Sequence, residues 1–343
     1  MSEKVLNGAR AAEFWEAAKR ALSTKQDTLT GRPGQVVGFD ASGAAAVVEG
    51  WRGWNFADNG GFDIWQKGTE FDAGSRIYTA DRWHNDNQVC RYERIDNPFT
   101  NCPCQYAMKV TAMNDAQWLS VAQPIDPELA AALDGQTVTI STWVMGRSAA
   151  PGIMWLGSIR KDGIPMDGQP HHVSATGVFH ADAAAMVAIA IDASSGTSTG
   201  DWQIMTGVKI ELGDVATPFS PQNKALELAK CQRYMLVLPN YGTLFAGVGI
   251  GAAYGTDKVK YIVPIPVSMR IVPSVTISGL WTAQGNGKSI AIPSSARFVA
   301  YEMSANAIGL CMENCPSSFV RNQLYKLETD NDPTAKIIFD ANL

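Results

Sequence analysis

The chain has 343 residues, 46% of them hydrophobic and 18% charged, with a formal net charge of −5. Such a length suits two globular domains with large cores and a small extra element, and the composition excludes a disordered chain. An acidic balance without a Lys/Arg run argues against a nucleic-acid partner, and no apolar run reaches the roughly 20 residues that span a bilayer.

The first twenty residues carry charges throughout and lack an apolar signal core, so folding in a cytoplasm is expected. Within residues 8–22, Ala11, Phe14, Trp15, Ala18, Ala21 and Leu22 share one helical stripe. That stripe is too apolar for a lone exposed helix, and it predicts self-association through Phe14, Trp15 and Leu22. A turn-rich stretch follows, in which Val36-Val37 and Val47-Val48 flank Asp40-Ala-Ser-Gly43 and predict a small hairpin.

From residue 55 to about 222 the dominant period is two. Tyr106, Met108, Val110 and Ala112 alternate with polar residues, as do Val138, Ile140, Thr142 and Val144. Val187, Ile189 and Ile191 alternate with alanines, and Ile204, Thr206, Val208, Ile210 and Leu212 with Met205, Lys209 and Glu211. Alternation gives each sheet one wet and one dry face, with no helices expected between strands. Residues 223–235 predict a short helical connector. Beyond it Val259, Tyr261, Val263, Ile265 and Val267 share a face, and Pro264 and Pro266 predict an edge strand because neither can donate to a neighbour. Further strands are expected at 274–280, 297–303, 307–312 and 335–341. The predicted fold is mainly β: an N-terminal helix and hairpin (1–54), a jelly-roll-like antiparallel β-sandwich (55–222), the connector (223–235) and a second, distal β domain (236–343). No equal-length repeat of the stacked-coil kind is present.

Motifs for chemistry are sparse. There is no phosphate loop, and Gly247-Val-Gly249-Ile-Gly251 lies in a turn-rich β context. His84, His171, His172 and His180 are expected on the surface, without a Gly-x-Ser-x-Gly turn to suggest a nucleophile. Cys90, Cys102, Cys104, Cys231, Cys311 and Cys315 are expected as thiols, since neither close pair has zinc-site spacing. No cofactor is expected, although Asp63, Asp81, Glu211 and Asp214 near strand ends leave a structural Ca²⁺ open. Ten Trp and nine Tyr are many for this length. Trp118, Trp155, Tyr241, Tyr254 and Trp281 fall in loops or on polar strand faces, where aromatic rings can stack on sugar C–H faces. With Asp257 and Asn286 beside them, Tyr241, Tyr254, Trp281 and Trp155 are the candidate glycan-binding residues.

Several blocks resemble bacteriophage and prophage tail fibre proteins with a carbohydrate-binding-module-like sandwich. They are Lys25-Gln-Asp-Thr-Leu-Thr-Gly31 with Gly34–Asp40, Asn59–Gly68 with Tyr78–Trp83, Gly207–Pro221 with Leu226–Tyr234, and Pro264–Pro273. The resemblance implies a homotrimer held to the tail or baseplate by its N-terminus, with distal β domains that touch a host-surface polysaccharide or protein. It implies a virion component assembled in the bacterial cytoplasm, attaching without catalysis; a polysaccharide depolymerase tailspike and a purely structural tail component are the alternatives. Three linked copies would turn a weak sugar contact into useful avidity.

Overall fold

The computed structural model describes residues 35–39 and 45–49 along the backbone and residues 54–342, apart from 86–87, 182–185, 193, 195, 240–241, 286 and 316–317. The stripe of Phe14, Trp15 and Leu22 lies outside the described residues. Strands β1 (Gln35–Phe39) and β2 (Ala45–Glu49) pair antiparallel with Val36 opposite Val48 and Val37 opposite Val47, as the valine pairs predict.

The next strands are β3 (Glu70–Ala73), β4 (Cys90–Asp96), β5 (Tyr106–Ala112) and β6 (Val121–Pro124). Helix α1 (Pro127–Leu133) interrupts the strands, which the alternation pattern did not lead one to expect. Its start is nevertheless chemically marked: Pro127 opens the first turn, and the Asp126 carboxylate accepts the Glu128 N–H. Strands β7 (Thr137–Arg147), β8 (Gly152–Leu156), β9 (Ile159–Ile164), β10 (His171–Val178), β11 (Met186–Ile191) and β12 (Trp202–Leu212) complete this part. They form a six-stranded sheet, β10-β7-β12-β5-β4-β3, and a four-stranded sheet, β6-β11-β8-β9. All pairings are antiparallel, and Trp83, Tyr92, Met108, Ile140, Leu156, Val187, Met205 and Ile210 fill one core. The antiparallel sandwich is therefore present.

Period two breaks inside β12. A bulge between Thr206 and Lys209, with Gly207 at φ +63°, switches which residues face the core. Before it Met205 is a core residue; after it Val208 and Ile210 are. Ile204 instead joins a small second cluster with Phe99, Cys102, Cys104 and Ala107, with Trp143 and Phe219 packed against it. The β12 residues Gln203–Glu211 are thus buried on both faces, and the Lys209–Glu211 ion pair lies under this cover with side-chain exposures of 1% each.

Helix α2 (Lys224–Gln232) forms the predicted connector, with the Asn223 side chain accepting the Ala225 and Leu226 N–H groups. Strands β13 (Met235–Leu238), β14 (Gly247–Ala253), β15 (Val259–Pro264), β16 (Ser274–Ser278), β17 (Trp281–Gly285), β18 (Lys288–Ile292), β19 (Arg297–Met303), β20 (Ala307–Glu313), β21 (Leu324–Thr329) and β22 (Lys336–Asp340) follow. They make a three-stranded sheet, β13-β22-β16, and a seven-stranded sheet, β18-β17-β21-β14-β15-β20-β19, around a separate core. Strand β15 is a central strand, contrary to the edge position its prolines suggested. The conflict is resolved by where the prolines fall: pairing with β14 stops at Ile262, Pro264 ends the strand, and Pro266 lies beyond it.

Polar groups join the two cores. The Gln66 amide donates to the Asp81 carboxylate and to the Met235 carbonyl at 2.7 Å, while its oxygen accepts the Val237 N–H at 3.4 Å. Lys336 donates to the Lys67 carbonyl at 3.1 Å, and Glu227 of α2 accepts the Asn59 N–H at 2.7 Å. The Arg82 guanidinium carbon lies 3.5 Å from the centre of the Tyr234 ring. Among the described residues no helix is long and apolar enough to cross a membrane.

Candidate functional site

The aromatic candidates separate by burial. Trp281 is 3% exposed in the distal core, with its indole N–H donated to the Ser278 carbonyl at 2.9 Å. The loop or polar-face position expected for Trp281 is corrected: odd-numbered positions of β17 point into the core, as Ala283 does too. Trp118 and Trp155 are half-buried, and Trp155 is paired with Ala188, which puts the two on the same face of the four-stranded sheet. Tyr241 and Asn286 lie outside the described residues.

Tyr254 remains partly accessible, in the turn after β14. Its hydroxyl lies 3.0 Å from Cys311 Sγ and 3.3 Å from a Glu313 carboxylate oxygen, and partial burial together with these neighbours raises its ionisation well above the ordinary tyrosine range. The Lys260 ammonium sits 5.2 Å from the Tyr254 ring centre and 4.9 Å from that of Tyr301. Asp257 is half-buried, and its backbone carbonyl accepts the Cys315 N–H at 3.1 Å, which ties this turn to the segment after β20. Ile250, Ile262 and Leu324 are exposed on the same outer face of the seven-stranded sheet as Lys260.

The four candidate calcium acids do not gather. Asp81 is fully buried and accepts the Gln66 N–H at 3.0 Å, while Asp214 is exposed. Both Glu211 oxygens are committed, one to the Thr217 N–H at 2.7 Å and the other to the Thr217 hydroxyl at 2.6 Å and to Lys209 at 3.1 Å. Among the described residues no group of three His, Cys, Asp or Glu side chains could hold a metal ion. All six cysteines are buried, with Cys102 Sγ 3.4 Å from Cys104 Sγ. His84, expected on the surface, is instead buried: one ring nitrogen lies 2.8 Å from the Asn85 carbonyl and the other 3.1 Å from an Arg76 nitrogen, with the Tyr78 ring edge-on to it.

Asp63 leads to a different site. It opens onto a cleft of ≈ 510 Å³ between the sandwich and the distal sheets. Ile64, Trp65 and Gln66 continue the wall from the sandwich, Arg94 adds from β4, Lys224 and Leu228 from α2, and Val237, Pro239 and Lys336 from the distal side. The guanidinium carbon of Arg94 lies 4.4 Å from the Tyr106 ring centre, and the Lys224 ammonium 5.8 Å from the same centre. Half-burial lifts the Asp63 carboxyl above the ordinary carboxylate range, against the pull of the Lys224 charge and with a further push from Glu227. No pattern in the sequence announces this site, because its walls come from segments as far apart as residues 63 and 336.

A second cleft, of ≈ 460 Å³, lies beside α1. Arg82, only 2% exposed and with φ +73°, forms its back through an ion pair to Asp58 at 3.1 Å and a hydrogen bond to the Pro124 carbonyl at 3.0 Å. Across it the Tyr234 hydroxyl donates to Asp126 at 2.6 Å. Burial pushes the Asp126 carboxyl up, but this hydrogen bond, the Glu128 N–H and the charges of Arg233 and Arg82 outweigh it and hold the group low. Arg82 Nε and Nη2 are bonded within the fold, whereas its buried Nη1 has no hydrogen-bond partner among the described residues.

No protein-family model matches the chain, and no curated protein matches it. Among solved structures, similarity is found to the CBM22-1 and GH10 modules of the Clostridium thermocellum xylanase 10B complexed with xylohexaose, at 16% identity and a TM-score of 0.26. That match covers 44% of this chain and 29% of the xylanase chain, so this chain spans well under two thirds of it. The tandem CBM22 domain of Paenibacillus barcinonensis Xyn10C matches at 9% identity and a TM-score of 0.26, covering 80% of this chain and 99% of that one. The tripod from the baseplate of bacteriophage Tuc2009 matches at 14% identity and a TM-score of 0.27, covering 87% and 96%. Scores this low establish no shared fold family.

Proposed function

We propose that this chain is a receptor-binding subunit of a bacteriophage tail, which attaches the virion to a bacterial surface through glycans and without catalysis. The observation that carries this reading is the convergence of the resembling blocks on one cleft. Asp63, Trp65 and Gln66 belong to the Asn59–Gly68 block, and Leu228 belongs to the Leu226–Tyr234 block. A half-buried carboxyl, an amide, partly exposed apolar side chains and several cations are the groups that hold a polar, partly apolar ligand such as a sugar. The chain acts as a homotrimer in this reading, joined to the tail through its N-terminal segment.

The test is adsorption. Fluorescently labelled full-length protein is incubated with a panel of bacterial strains, and bound fluorescence is measured with and without excess unlabelled protein. Saturable, competable binding to particular strains, lost after periodate oxidation of the cell surface, is the expected result. Absence of binding to every strain would make the chain an internal tail component instead.

A further inference from the structure

We infer that the cleft between the sandwich and the distal sheets selects an acidic saccharide, a sugar carrying a carboxylate or phosphate. This deepens the proposed function and rests on it. In a chain of net charge −5, the cleft collects Arg94, Lys224 and Lys336 against a single carboxylate, Asp63. A local excess of cations against the overall sign marks the place where an anion is favoured over water.

Among the described residues none of these three cations forms an ion pair. Arg94 and Lys224 lie against the Tyr106 ring, and the carboxylate that acts on both, Asp63, does so through space and takes none of their donors. Lys336 spends one donor on the Lys67 carbonyl and has others to give. Asp63 forms no hydrogen bond among the described residues; the charges of Lys224, Arg94 and Glu227 act on it through space. An acid group placed between Arg94 and Lys224 would gain charge-assisted hydrogen bonds from both, Arg94 supplying the planar fork that suits carboxylate and phosphate alike. The sugar ring would then lie toward the half-buried apolar side chains of Leu228 and Pro239, leaving Asp63 to take its hydroxyls.

Binding is measured by calorimetry on the full-length protein with three probes: trigalacturonate, glucose 6-phosphate and neutral maltotriose. Trigalacturonate or glucose 6-phosphate should bind, each weakening as salt rises, and maltotriose should not; which acid binds tells carboxylate from phosphate. Arg94→Ala and Lys224→Ala should each weaken the acidic probe about tenfold, the loss expected for one charge-assisted contact. Lys224 is exposed, so its removal leaves the fold in place even if Arg94→Ala proves unstable. Asp63→Asn should strengthen the acidic probe by removing a like charge. Equal binding of maltotriose, no binding of either acid, or weakening of the acid by Asp63→Asn overturns the inference. Strain-specific adsorption that survives Lys224→Ala would overturn the acidic-sugar inference while leaving the receptor-binding role standing, whereas absent adsorption removes that role.

Discussion

Replacing Asp81 by Asn tests how the Asn59–Gly68 and Tyr78–Trp83 blocks are held together. Asp81 is fully buried, and burial, only partly offset by the hydrogen bonds from Gln66 and the charge of Lys67, lifts its carboxyl from 3.8 to about 6. The folded protein therefore holds this proton more tightly than the unfolded chain does. Below the unfolded value both states are protonated and the group is neutral in the balance. As pH rises toward 6 the unfolded chain ionises first, and above it the folded state carries the full cost of a buried charge. With 1.36 kcal/mol for each tenfold change, that cost is roughly 3 kcal/mol at neutral pH and well under 1 kcal/mol near pH 4. Asn removes the charge but turns one acceptor into a donor facing the Gln66 amide, a loss of about 1 kcal/mol at every pH. The variant should therefore be less stable than the parent near pH 4 and more stable by about 2 kcal/mol near pH 7.5. Urea unfolding followed by tryptophan fluorescence at both pH values gives the two differences. A stability difference that is the same at both pH values would refute the reasoning, because it would mean that Asp81 titrates alike in the folded and unfolded chains.

Three further outcomes follow from the packing. Lys209→Met strands the buried Glu211 carboxylate and should cost about 3–5 kcal/mol in chemical denaturation, whereas Lys209→Met with Glu211→Leu should recover most of it. Gly251→Ala would bring a methyl to 2.1 Å from the Lys260 carbonyl, so β14 and β15 must separate there; the expected loss is about 3 kcal/mol, and limited proteolysis should cleave the distal sheets before the sandwich. Trp281→Ala should lower stability by about 3–5 kcal/mol while cell adsorption measured well below the melting temperature stays at parent level, which separates a core role from a glycan contact.

The fold was legible wherever one face of a strand is wet. In β5 the core positions Met108, Val110 and Ala112 keep strict alternation, and the valine pairs set the β1–β2 register without help from distant residues. Legibility failed where a second layer covers the outer face. In β12 the Phe99–Cys104 segment and Phe219 bury what would otherwise be the wet side, and the bulge at Gly207 changes the parity midway, so one apolar list spans two faces. Helix α1 was missed because seven residues hold too little periodicity to register, although Asp126-Pro127 is a recognisable start. The prolines of β15 misled for a related reason: a missing N–H forbids a central position only where the ladder extends, and here it has already ended on one side.

The candidate site was less legible than the fold, and for a physical reason. Exposed aromatics beside amides are a local signal, and that signal selected Trp281, whose side chain the β17 parity sends inward. A cleft between two cores has no such signature, because its chemistry is assembled by packing rather than by neighbours in the chain. Gln66 shows the principle. One amide is bonded to Asp81 on the sandwich side and to Met235 and Val237 of β13 on the other, so it fixes the distance between the walls that Asp63 and Trp65 share with Lys336. Asp63, half-buried three residues before this staple, forms no hydrogen bond among the described residues, and the charges of Lys224, Glu227 and Arg94 reach it through space.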